Sequence, residues 1–477
     1  MSANAIKFGT DGWRGVIGAE FTFERLLMVA PIAAAVLADA YTAKTGNRTI
    51  IVGFDRRFMA ETFAKRMAVT LQQDGFDVIL SDTYAPTPAF SWAAYSLNAL
   101  GALVITASHN PGDYLGLKVK GNFGGSVPPE MTQQIEARLG ETLPPMAPGT
   151  LTTFDPWTSY CQELRGKVDL ASIQQAIAAR KLTVFADAMH GAASTGLERL
   201  LGTPIIELNS NADPLFDGGA PEPLPKYLSQ LMRTIRSHKD ESGVRVGLVF
   251  DGDCDRIAAV DGSGEFFSSQ ILIPILTEHL VKRRGFTGEI IKTVSTSNLV
   301  PRMAKLYNLP IYETPIGYKY IADRMLDTSV LIGGEESGGI GYGNHIPERD
   351  ALLSALYLLE AIAQSNLALS DLYGQLQTQT DYHFKYDRVD IHLKNMDERL
   401  RLMAQLENQP FTKIANIEVR DRNLADGYKF NLVDDSWLLI RFSGTEPVLR
   451  LYCEAQTLDR VHQTLAWAQD WAKSIDT

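Results

Sequence analysis

The sequence predicts an α/β protein in which three similar mixed α/β domains precede a smaller α+β C-terminal domain, all around one central cleft. Three observations predict this arrangement. The chain has 477 residues, which is too long for one ordinary hydrophobic core. Short apolar runs alternate with longer helical patterns through most of the chain, which is typical of parallel-sheet units with connecting helices. From about residue 376 onward, two strand-like runs flank one tight loop, and a helix ends the chain.

The first domain, residues 1–150, contains three predicted strands and one predicted helix between the first two strands. The strands are "TIIVGFD", "DVIL" and "ALVIT" (49–55, 77–80 and 102–106), and the helix is "ETFAKRMAVTLQQDG" (61–75). Prolines cluster in "TLPPMAPGTL", and we place the end of the first domain there because prolines interrupt regular structure.

The other predicted domains are residues 151–260, 261–375 and 376–477. The second and third domains repeat the plan of the first. Their predicted strands are 181–187, 204–208 and 244–251 in the second domain, and 288–294, 310–314 and 329–336 in the third. The fourth domain contains predicted strands at 437–443 and 447–455.

In each α/β domain the last strong strand leads into an unusual loop, "TASHNP", "DGDCDR" or "GGEESGG". Binding sites in open parallel sheets form at the carboxyl ends of the strands. A fourth unusual loop lies between the two strands of the last domain. The sequence therefore predicts one cleft to which all four domains contribute.

The composition is typical of a cytoplasmic enzyme. A net charge of −11 and the lack of a long Lys/Arg run argue against a nucleic-acid partner. Cys161, Cys254 and Cys453 lie far apart, without metal-ligand spacing, which suits a reducing compartment. We find no signal-peptide core and expect no stretch close to the roughly 18 apolar residues of a membrane helix, so no membrane partner is expected.

The loop "VFDGDCDRIAAVD" (249–261) is predicted to bind a divalent cation. Asp251, Asp253 and Asp255 alternate along an extended turn, so their carboxylates can point toward one ion. Oxygen ligands without His or thiolate favour Mg²⁺. An acidic turn without an ion is the alternative, but three converging carboxylates would repel one another. An EF-hand is excluded because its twelfth position would be Gly262 instead of Glu.

The loop "VITASHNP" places Ser108 directly beside His109. A hydrolase-type serine needs a base opposite it, and the side chains of adjacent residues rarely face one another. Lys118 follows this loop, and near a metal and other cations its pKa could be lowered so that it shuttles protons. The alternative for Lys118 is an ordinary surface lysine.

Three further loops carry candidate binding residues. In "LIRFSGTEPVLR" a guanidinium, two hydroxyls and a glycine suit phosphate binding, and a hairpin turn with a solvated arginine is the alternative. Arg14 in "FGTDGWRG" is a weaker phosphate-binding candidate, with a tight turn as its alternative. In "GGEESGG", acceptors on a glycine-rich turn suit sugar hydroxyls, and a solvated loop is the alternative. The residues concerned are Arg441, Ser443, Gly444 and Thr445 in the first loop, and Glu335 and Ser337 in the last.

Four stretches in this order, "TASHNPGDYLGLK", "DGDCDR", "GEESGG" and "RFSGTEP", resemble the α-D-phosphohexomutase superfamily. Phosphoglucomutase, phosphomannomutase and phosphoglucosamine mutase belong to this superfamily. The resemblance spans essentially the whole chain and includes "NADPLFDGGAPEP" (211–223). It implies an intramolecular phosphotransferase that interconverts hexose 1-phosphate and hexose 6-phosphate.

The resemblance also implies a role for each candidate residue. Ser108 would be carried as phosphoserine, with a phosphate oxygen on one Mg²⁺ per chain held by the three aspartates. Lys118 would be the general acid/base. His109 and Arg256 would contact the reacting region, and Arg14 would contact the phosphoserine. Glu335 and Ser337 would bind sugar hydroxyls. The phosphate that is not transferred would be bound by Arg441, Ser443, Gly444 and Thr445.

Under this hypothesis, phospho-Ser108 gives its phosphoryl group to a hexose phosphate, and the resulting hexose 1,6-bisphosphate turns in the cleft and returns its other phosphate. Turning calls for a hinge near residue 376. Glucose phosphate is the first choice, because "GEESGG" and "ETPIGYKYI" are nearer the phosphoglucomutase branch and Gly339 stands where phosphomannomutase-like relatives usually have His. Mannose and glucosamine phosphates stay open.

Other functions also stay open. If the bisphosphate left before turning, the same site would be a glucose 1,6-bisphosphate synthase with another sugar bisphosphate as donor. A metal-dependent phosphatase would share the aspartates but would not need a phosphate clamp in a separate domain. A non-catalytic sugar-phosphate sensor would tolerate the loss of Ser108. The sequence leaves monomer and homodimer equally open.

Overall fold

The computed structural model describes residues 6–9, 11–238, 243–443 and 447–474. The chain folds into two compact units, each formed by two stretches of sequence. The first unit is Met1–Ile290 with Gly317–Tyr373, and the second is Ile291–Ile316 with Gly374–Thr477. The first two α/β domains and most of the third lie in the first unit. The second unit contains the C-terminal domain and one segment of the third domain.

The first α/β domain contains a six-stranded sheet in the order β1-β5-β4-β2-β3-β6. Its elements are β1 (Trp13–Val16), α1 (Phe23–Thr45), β2 (Thr49–Phe54), α2 (Ala60–Gln73), β3 (Asp77–Ser81), α3 (Thr87–Ser96), β4 (Gly101–Ile105), β5 (Tyr114–Gly121), α4 (Pro129–Ala137) and β6 (Leu151–Phe154). The strand β2 is parallel to β3 and β4, and its residues after Thr49 are all buried, as expected for a central parallel strand covered by helices. The three predicted strands and the predicted helix of this domain are confirmed.

The helix α1 is long and apolar enough to cross a membrane by length and composition. The expectation that no segment has this character is therefore wrong for α1. Most of its apolar window is buried, and Leu26, Val29 and Leu37 belong to the core of the first domain. A core helix covered by protein and a membrane helix share the same composition, so apolarity alone does not distinguish them.

The second α/β domain contains a five-stranded sheet in the order β11-β10-β9-β7-β8. Its elements are α5 (Pro156–Lys167), α6 (Leu170–Ala178), β7 (Leu182–Asp187), α7 (Gly196–Leu201), β8 (Ile206–Leu208), α8 (Ser229–Ser237), β9 (Val244–Phe250), β10 (Ile257–Asp261) and β11 (Phe266–Phe267). The strand β7 is parallel to β8 and β9, and β10 returns antiparallel to β9. The three predicted strands of this domain are confirmed.

The third α/β domain is divided between the two units. Its elements are α9 (Ser269–Glu278), β12 (Glu289–Thr293), α10 (Leu299–Leu306), β13 (Ile311–Thr314), α11 (Tyr318–Asp327), β14 (Val330–Gly334), β15 (Ile340–Tyr342), α12 (Ala351–Ser365) and α13 (Leu369–Thr380). In the first unit β14 pairs antiparallel with β15. The helix α12 begins at Asp350, whose carboxylate accepts a hydrogen bond from the Leu353 N–H at 2.9 Å.

The C-terminal domain, in the second unit, contains an antiparallel sheet in the order β16-β21-β20-β19-β18-β17. Its elements are β16 (Lys385–His392), α14 (Met396–Asn408), β17 (Lys413–Ile414), β18 (Ile417–Asn423), β19 (Tyr428–Leu432), β20 (Trp437–Phe442), β21 (Val448–Ala455) and α15 (Leu458–Lys473). Three similar α/β domains followed by an α+β domain confirm the predicted fold class.

Each of the three sequence-predicted loops of the α/β domains is the turn of a β-hairpin. The hairpins are β4–β5, β9–β10 and β14–β15, and all three are antiparallel. The first two α/β domains therefore combine parallel strands with an antiparallel hairpin, as expected for the predicted mixed α/β domains. After each loop the chain returns beside the strand that it has just left, and the first of the returning strands, β5, contains glycines and lysines that resemble turn residues in sequence.

Candidate active site

The three hairpins bring their loops together within the first unit. The loop between β9 and β10 contacts the loop between β14 and β15 directly, because Arg256 and Gly339 form an isolated antiparallel bridge. The loop between β4 and β5 contacts the same β9–β10 loop through Ser108. The hydroxyl of Ser108 donates a hydrogen bond to Asp251 Oδ2 at 2.8 Å. Ser108 and the loop that is predicted to bind a metal are therefore in contact.

Ser108 is buried and has a left-handed backbone, with a φ of 52°. Its Oγ lies 3.4 Å from His109 Nδ1, so the two neighbours do face one another, which the sequence analysis did not expect. Burial lowers the pKa of His109 well below its usual range, and the charges of Arg256 and Arg14 lower it further. The imidazole is therefore neutral near pH 7 and can share a hydrogen bond with the hydroxyl.

Asp251, Asp253 and Asp255 are fully buried, and one ligand atom of each lies within 4.8 Å of the others. Each of these residues has at least one carboxylate oxygen with a donor, and Asp255 Oδ2 lies 2.7 Å from the Lys118 ammonium. Asp251 Oδ1 accepts from the N–H groups of Asp255 and Arg256, at 3.0 and 3.1 Å, and Asp253 Oδ2 accepts from Thr87 Oγ1 at 2.5 Å.

Asp253 Oδ1 and Asp255 Oδ1 are buried and have no hydrogen-bond partner among the described residues. A buried carboxylate oxygen without a donor is costly unless a cation binds it. The residues present therefore fit a divalent cation, and they offer it only oxygen ligands.

The three aspartate carboxylates lie close enough to repel one another when charged. Burial raises the pKa of Asp251 well above its usual range, and the charges of Asp255 and Asp253 raise it further. Burial would also raise the pKa of Asp253, but the ammonium of Lys118 outweighs it and lowers that pKa. The charged form of Asp251 is therefore disfavoured unless a further cation binds, since adjacent buried carboxylates oppose one another's ionisation.

Lys118 lies on β5 and is buried among carboxylates. Its Nζ is 2.6 Å from Asp11 Oδ2 and 2.7 Å from the Oδ2 atoms of both Asp253 and Asp255. Burial alone would lower the pKa of Lys118, but these negative charges outweigh it and raise the pKa above its usual value. The neighbouring residues alone therefore raise this pKa, although Arg349 acts in the opposite direction. The lowered pKa is expected beside a bound metal ion and stays a prediction. The alternative of a surface lysine is wrong.

The other cationic candidates lie at the same site. Arg14 is held by Asn110, to whose Oδ1 its Nη1 donates at 2.6 Å. Arg256 Nε is 3.9 Å from Asp255 Oδ1 and has no hydrogen-bond partner among the described residues. Burial lowers the pKa of Arg14, although the guanidinium stays charged at physiological pH. Two guanidinium groups near a serine hydroxyl suit a negatively charged ligand.

The predicted sugar-binding loop joins β14 and β15. Glu335 is buried, and its Oε1 accepts a hydrogen bond from the Gly317 N–H at 3.0 Å. Burial raises the pKa of Glu335, against the opposing charge of Arg349. Ser337 lies on the same loop and is half-buried. Both residues stay candidates for contact with sugar hydroxyls.

The predicted phosphate clamp belongs to the second unit. Arg441 lies on β20, and its Nε is 3.1 Å from both carboxylate oxygens of Asp426. Ser443 follows β20 and is buried. Gly444 and Thr445 lie outside the described residues. The role of this loop stays a prediction.

Four family models match the chain one after another. They are Phosphoglucomutase/phosphomannomutase alpha/beta/alpha domains I, II and III, over residues 5–144, 158–264 and 268–379, and the C-terminal domain over residues 402–466. The chain belongs to the phosphoglucomutase/phosphomannomutase family. This membership confirms the predicted superfamily and the predicted intramolecular phosphotransferase.

Relatives of the family resemble the chain over nearly its full length. It is 29% identical to a phosphoglucomutase/phosphomannomutase of Thermococcus kodakarensis over 96% of each chain. It is 30% identical to a phosphoglucosamine/phosphogalactosamine mutase of Sulfurisphaera tokodaii over 94% of this chain and 95% of the relative. A solved structure from Thermus thermophilus that carries the name phosphomannomutase is 30% identical, with a TM-score of 0.85 and coverage of 98% and 99% of the two chains. The sugar differs among these names.

The structure adds two residues that the sequence analysis of this phosphohexomutase missed, Asp11 and Arg349. Arg349 is buried, its Nη2 contacts Asp11 Oδ2, and the same atom lies 2.7 Å from Asp255 Oδ2. Lys118 contacts the same two carboxylate oxygens, so two cations and two anions alternate in a closed ring. The signal for Arg349 is the charged triplet "ERD" directly before the apolar helix α12.

Gly252, in the predicted metal loop, packs closely against the backbone of Ser108. A Cβ at this residue would lie 2.3 Å from the carbonyl oxygen of Ser108 and 2.9 Å from Pro221 Cγ. We therefore expect Gly252→Ala to force the two loops apart and to lower kcat by about 10²-fold, since a displacement of about 1 Å can cost this much. Steady-state kinetics will measure the change.

The matched control is Gly262→Ala, at the end of the same hairpin. There an added Cβ would meet its nearest atoms at 3.4 Å or more, which is ordinary contact. Equal activity in the Gly252 and Gly262 variants would contradict the role of the close approach.

Proposed function

We propose that this family member interconverts hexose 1-phosphate and hexose 6-phosphate through a phosphoserine at Ser108 and a bound hexose 1,6-bisphosphate. The observation that carries this proposal is the hydrogen bond of 2.8 Å between Ser108 Oγ and Asp251 Oδ2, within a buried cluster of three carboxylates. A serine in this position needs no hydrolase-type base if it exchanges a phosphoryl group that it already carries.

Mg²⁺ is the proposed cofactor, one per chain, held by Asp251, Asp253 and Asp255. The two buried carboxylate oxygens without donors among the described residues support this assignment. When bound, Mg²⁺ would supply positive charge for the phosphoryl oxygens. Ser108 would contribute a phosphate oxygen as a further ligand.

In the transfer step, the bond between phosphorus and Ser108 Oγ breaks while a sugar hydroxyl oxygen forms its bond to phosphorus. Arg14 and Arg256 neutralise charge on the transferring group, and neutral His109 shares a hydrogen bond with Ser108 Oγ. Lys118, which lies against the triad, is the proposed acid/base group: as the free amine it would accept the sugar hydroxyl proton, and as the ammonium it would return a proton to the sugar oxygen in the reverse transfer. Such transfer depends mainly on positioning and charge neutralisation.

The substrate is proposed to be bound by two loops. Glu335 and Ser337 hold sugar hydroxyls, and the loop with Arg441 and Ser443, together with Gly444 and Thr445, holds the phosphate that is not transferred. Glucose phosphate is the proposed sugar, on the loop sequence "GEESGG". We further propose a cytoplasmic location, which the three free and buried cysteines support, because free thiols persist in reducing compartments.

The test is product identification by ³¹P NMR. The pure protein is incubated with Mg²⁺ and glucose 1-phosphate, and parallel reactions contain mannose 1-phosphate or glucosamine 1-phosphate with a trace of the matching bisphosphate. The proposal expects glucose 6-phosphate as the main product and the highest kcat/KM for glucose phosphate. Faster conversion of another sugar phosphate would overturn the sugar assignment alone.

A second arm of the same experiment contains fructose 1,6-bisphosphate in molar excess. Accumulation of glucose 1,6-bisphosphate would identify a synthase, and release of inorganic phosphate would identify a phosphatase. Either result would contradict the mutase assignment.

A further inference from the structure

Arg57, directly after β2, holds the backbone of the Ser108 loop. It is buried and donates hydrogen bonds to four carbonyl oxygens of this loop. Its Nη1 donates to the carbonyls of Pro111 and Tyr114, at 2.9 and 3.2 Å. Its Nη2 donates to those of Ser108 and Asn110, at 2.5 and 2.6 Å. The fixed fork of a guanidinium makes such convergent contacts possible, and lysine, which carries a single ammonium, cannot reproduce them.

Asp55 anchors the other side of the same network. Its Oδ1 accepts from the Arg57 N–H at 3.0 Å, and its Oδ2 lies 3.4 Å from Arg57 Nε. The same Oδ2 accepts from Thr106 Oγ1 at 2.6 Å, and Thr106 Oγ1 accepts from the Ser108 N–H at 2.9 Å. The N–H and the C=O of Ser108 are therefore both tied to one buried carboxylate.

Ser108 needs such support because its backbone is left-handed, with a φ of 52°. This conformation is unfavourable for a residue other than glycine and persists only where the surroundings enforce it. The same conformation accompanies the contact of Ser108 Oγ with Asp251 at 2.8 Å.

A separate segment covers this network and connects it to the metal loop. The guanidinium of Arg57 lies 4.8 Å from the ring centre of Phe216, within the "NADPLFDGGAPEP" segment that the sequence analysis noted without assigning a role. At the end of this segment, Pro221 O accepts from the Gly252 N–H at 3.1 Å. Arg57 is thus enclosed where three loops meet, and burial strengthens its hydrogen bonds.

We propose that Arg57, anchored by Asp55, is a positioning residue that holds Ser108 in the backbone conformation required for phosphoryl transfer. This inference rests on the proposed function, in which Ser108 is the phosphoryl carrier. Arg57 acts through the Ser108 carbonyl and is not assigned contact with the substrate.

The kinetic test compares Arg57→Ala, Arg57→Lys and Asp55→Asn with the wild type. We expect kcat to fall by about 10²-fold in both Arg57 variants while KM changes by less than about threefold, because positioning of the nucleophile is lost and substrate contacts are kept. Added guanidinium is expected to restore part of the kcat of Arg57→Ala and none of that of Arg57→Lys, whose side chain still fills the position. Asp55→Asn is expected to show a smaller loss in kcat.

The matched control is Arg48→Ala, at the opposite end of β2. Arg48 makes the same kinds of contact, since its Nε donates to the Gly75 carbonyl at 3.3 Å and its guanidinium lies 4.3 Å from the ring centre of Phe76. We expect this variant to keep wild-type kcat. Equal kcat in the Arg57 and Arg48 variants would overturn the inference, as would a loss confined to KM.

A structural readout separates this inference from the proposed function. Hydrogen exchange of the peptide that contains Ser108 is measured on variants whose circular dichroism is native. Faster exchange in Arg57→Ala than in Arg48→Ala supports the positioning of the Ser108 backbone by Arg57, and this result is independent of whether the wild type has mutase activity. Unchanged exchange in Arg57→Ala would overturn the inference while the proposed function stands.

Discussion

Replacement of Ser108 by alanine is expected to abolish the interconversion of hexose phosphates, with a loss in kcat on the order of 10⁴-fold or more. The reason is that the proposed mechanism passes every phosphoryl group through Ser108 Oγ, so no neighbouring group replaces it. The variant should still fold, because it loses only the hydroxyl contacts with Asp251 and His109, and the backbone hydrogen bonds of Ser108 remain. Coupled-enzyme assays and thermal unfolding measure the two effects.

A matched control for this substitution is Ser263→Ala. Ser263 also donates its hydroxyl to an aspartate, Asp261, but it lies outside the triad and its loop. This control is expected to retain wild-type activity. Undiminished turnover by the Ser108 variant would remove this residue from the mechanism.

The second large effect is expected for Asp251→Asn, which removes one charge from the proposed metal site. The loss of a residue that only hydrogen-bonds to a metal ligand lowers metal affinity by about 10–100-fold. Because Asp251 is proposed to bind the metal directly, we expect its substitution to lower Mg²⁺ affinity by more than about 100-fold. Mutase activity should fall in parallel. Isothermal titration with Mg²⁺ or Mn²⁺ measures the affinity without reference to catalysis.

Although Asp251→Asn is expected to weaken Mg²⁺ binding, it is expected to stabilise the folded protein when a chelator removes the metal. Burial and the two neighbouring carboxylates disfavour the charged form of Asp251 in the metal-free protein, so its replacement by a neutral amide is expected to raise the Tm in EDTA. Added Mg²⁺ should raise the Tm of the wild type through its binding to the folded state, and should leave the variant nearly unchanged.

The control for both measurements is Asp261→Asn, in the same hairpin but outside the triad. It should show wild-type Mg²⁺ affinity and a wild-type response of Tm to Mg²⁺. Full Mg²⁺ affinity in the Asp251 variant would contradict the assignment of the metal site.

Much of the fold could be predicted because its signals are local. The apolar runs of β2, β7 and β9 are continuous, and each is bounded by loops, so their positions follow from sequence periodicity. The three aspartates could be predicted for the same reason, since they alternate within five residues of one turn. The strand β5 could not be predicted, because its glycines and lysines are typical of a turn. Only its pairing with β4 in the folded protein shows that it is a strand.

The environment of individual side chains could not be predicted, because it depends on contacts between residues far apart in sequence. Lys118 lies 137 positions from Asp255, its partner at 2.7 Å, and this anion together with Asp11 and Asp253 raises the pKa of the lysine. Arg349 lies 338 positions from Asp11. Arg57 follows a correctly predicted strand, but its four carbonyl acceptors exist only after the Ser108 loop has folded beside it.

The most direct test of the central claim is mass spectrometry of the protein after incubation with glucose 1,6-bisphosphate and Mg²⁺. The account predicts a mass increase of one phosphoryl group, located on the peptide with Ser108, and its loss when excess glucose 6-phosphate is added. An active enzyme whose Ser108 never carries phosphate under these conditions, or whose phosphate lies on another residue, would contradict the account.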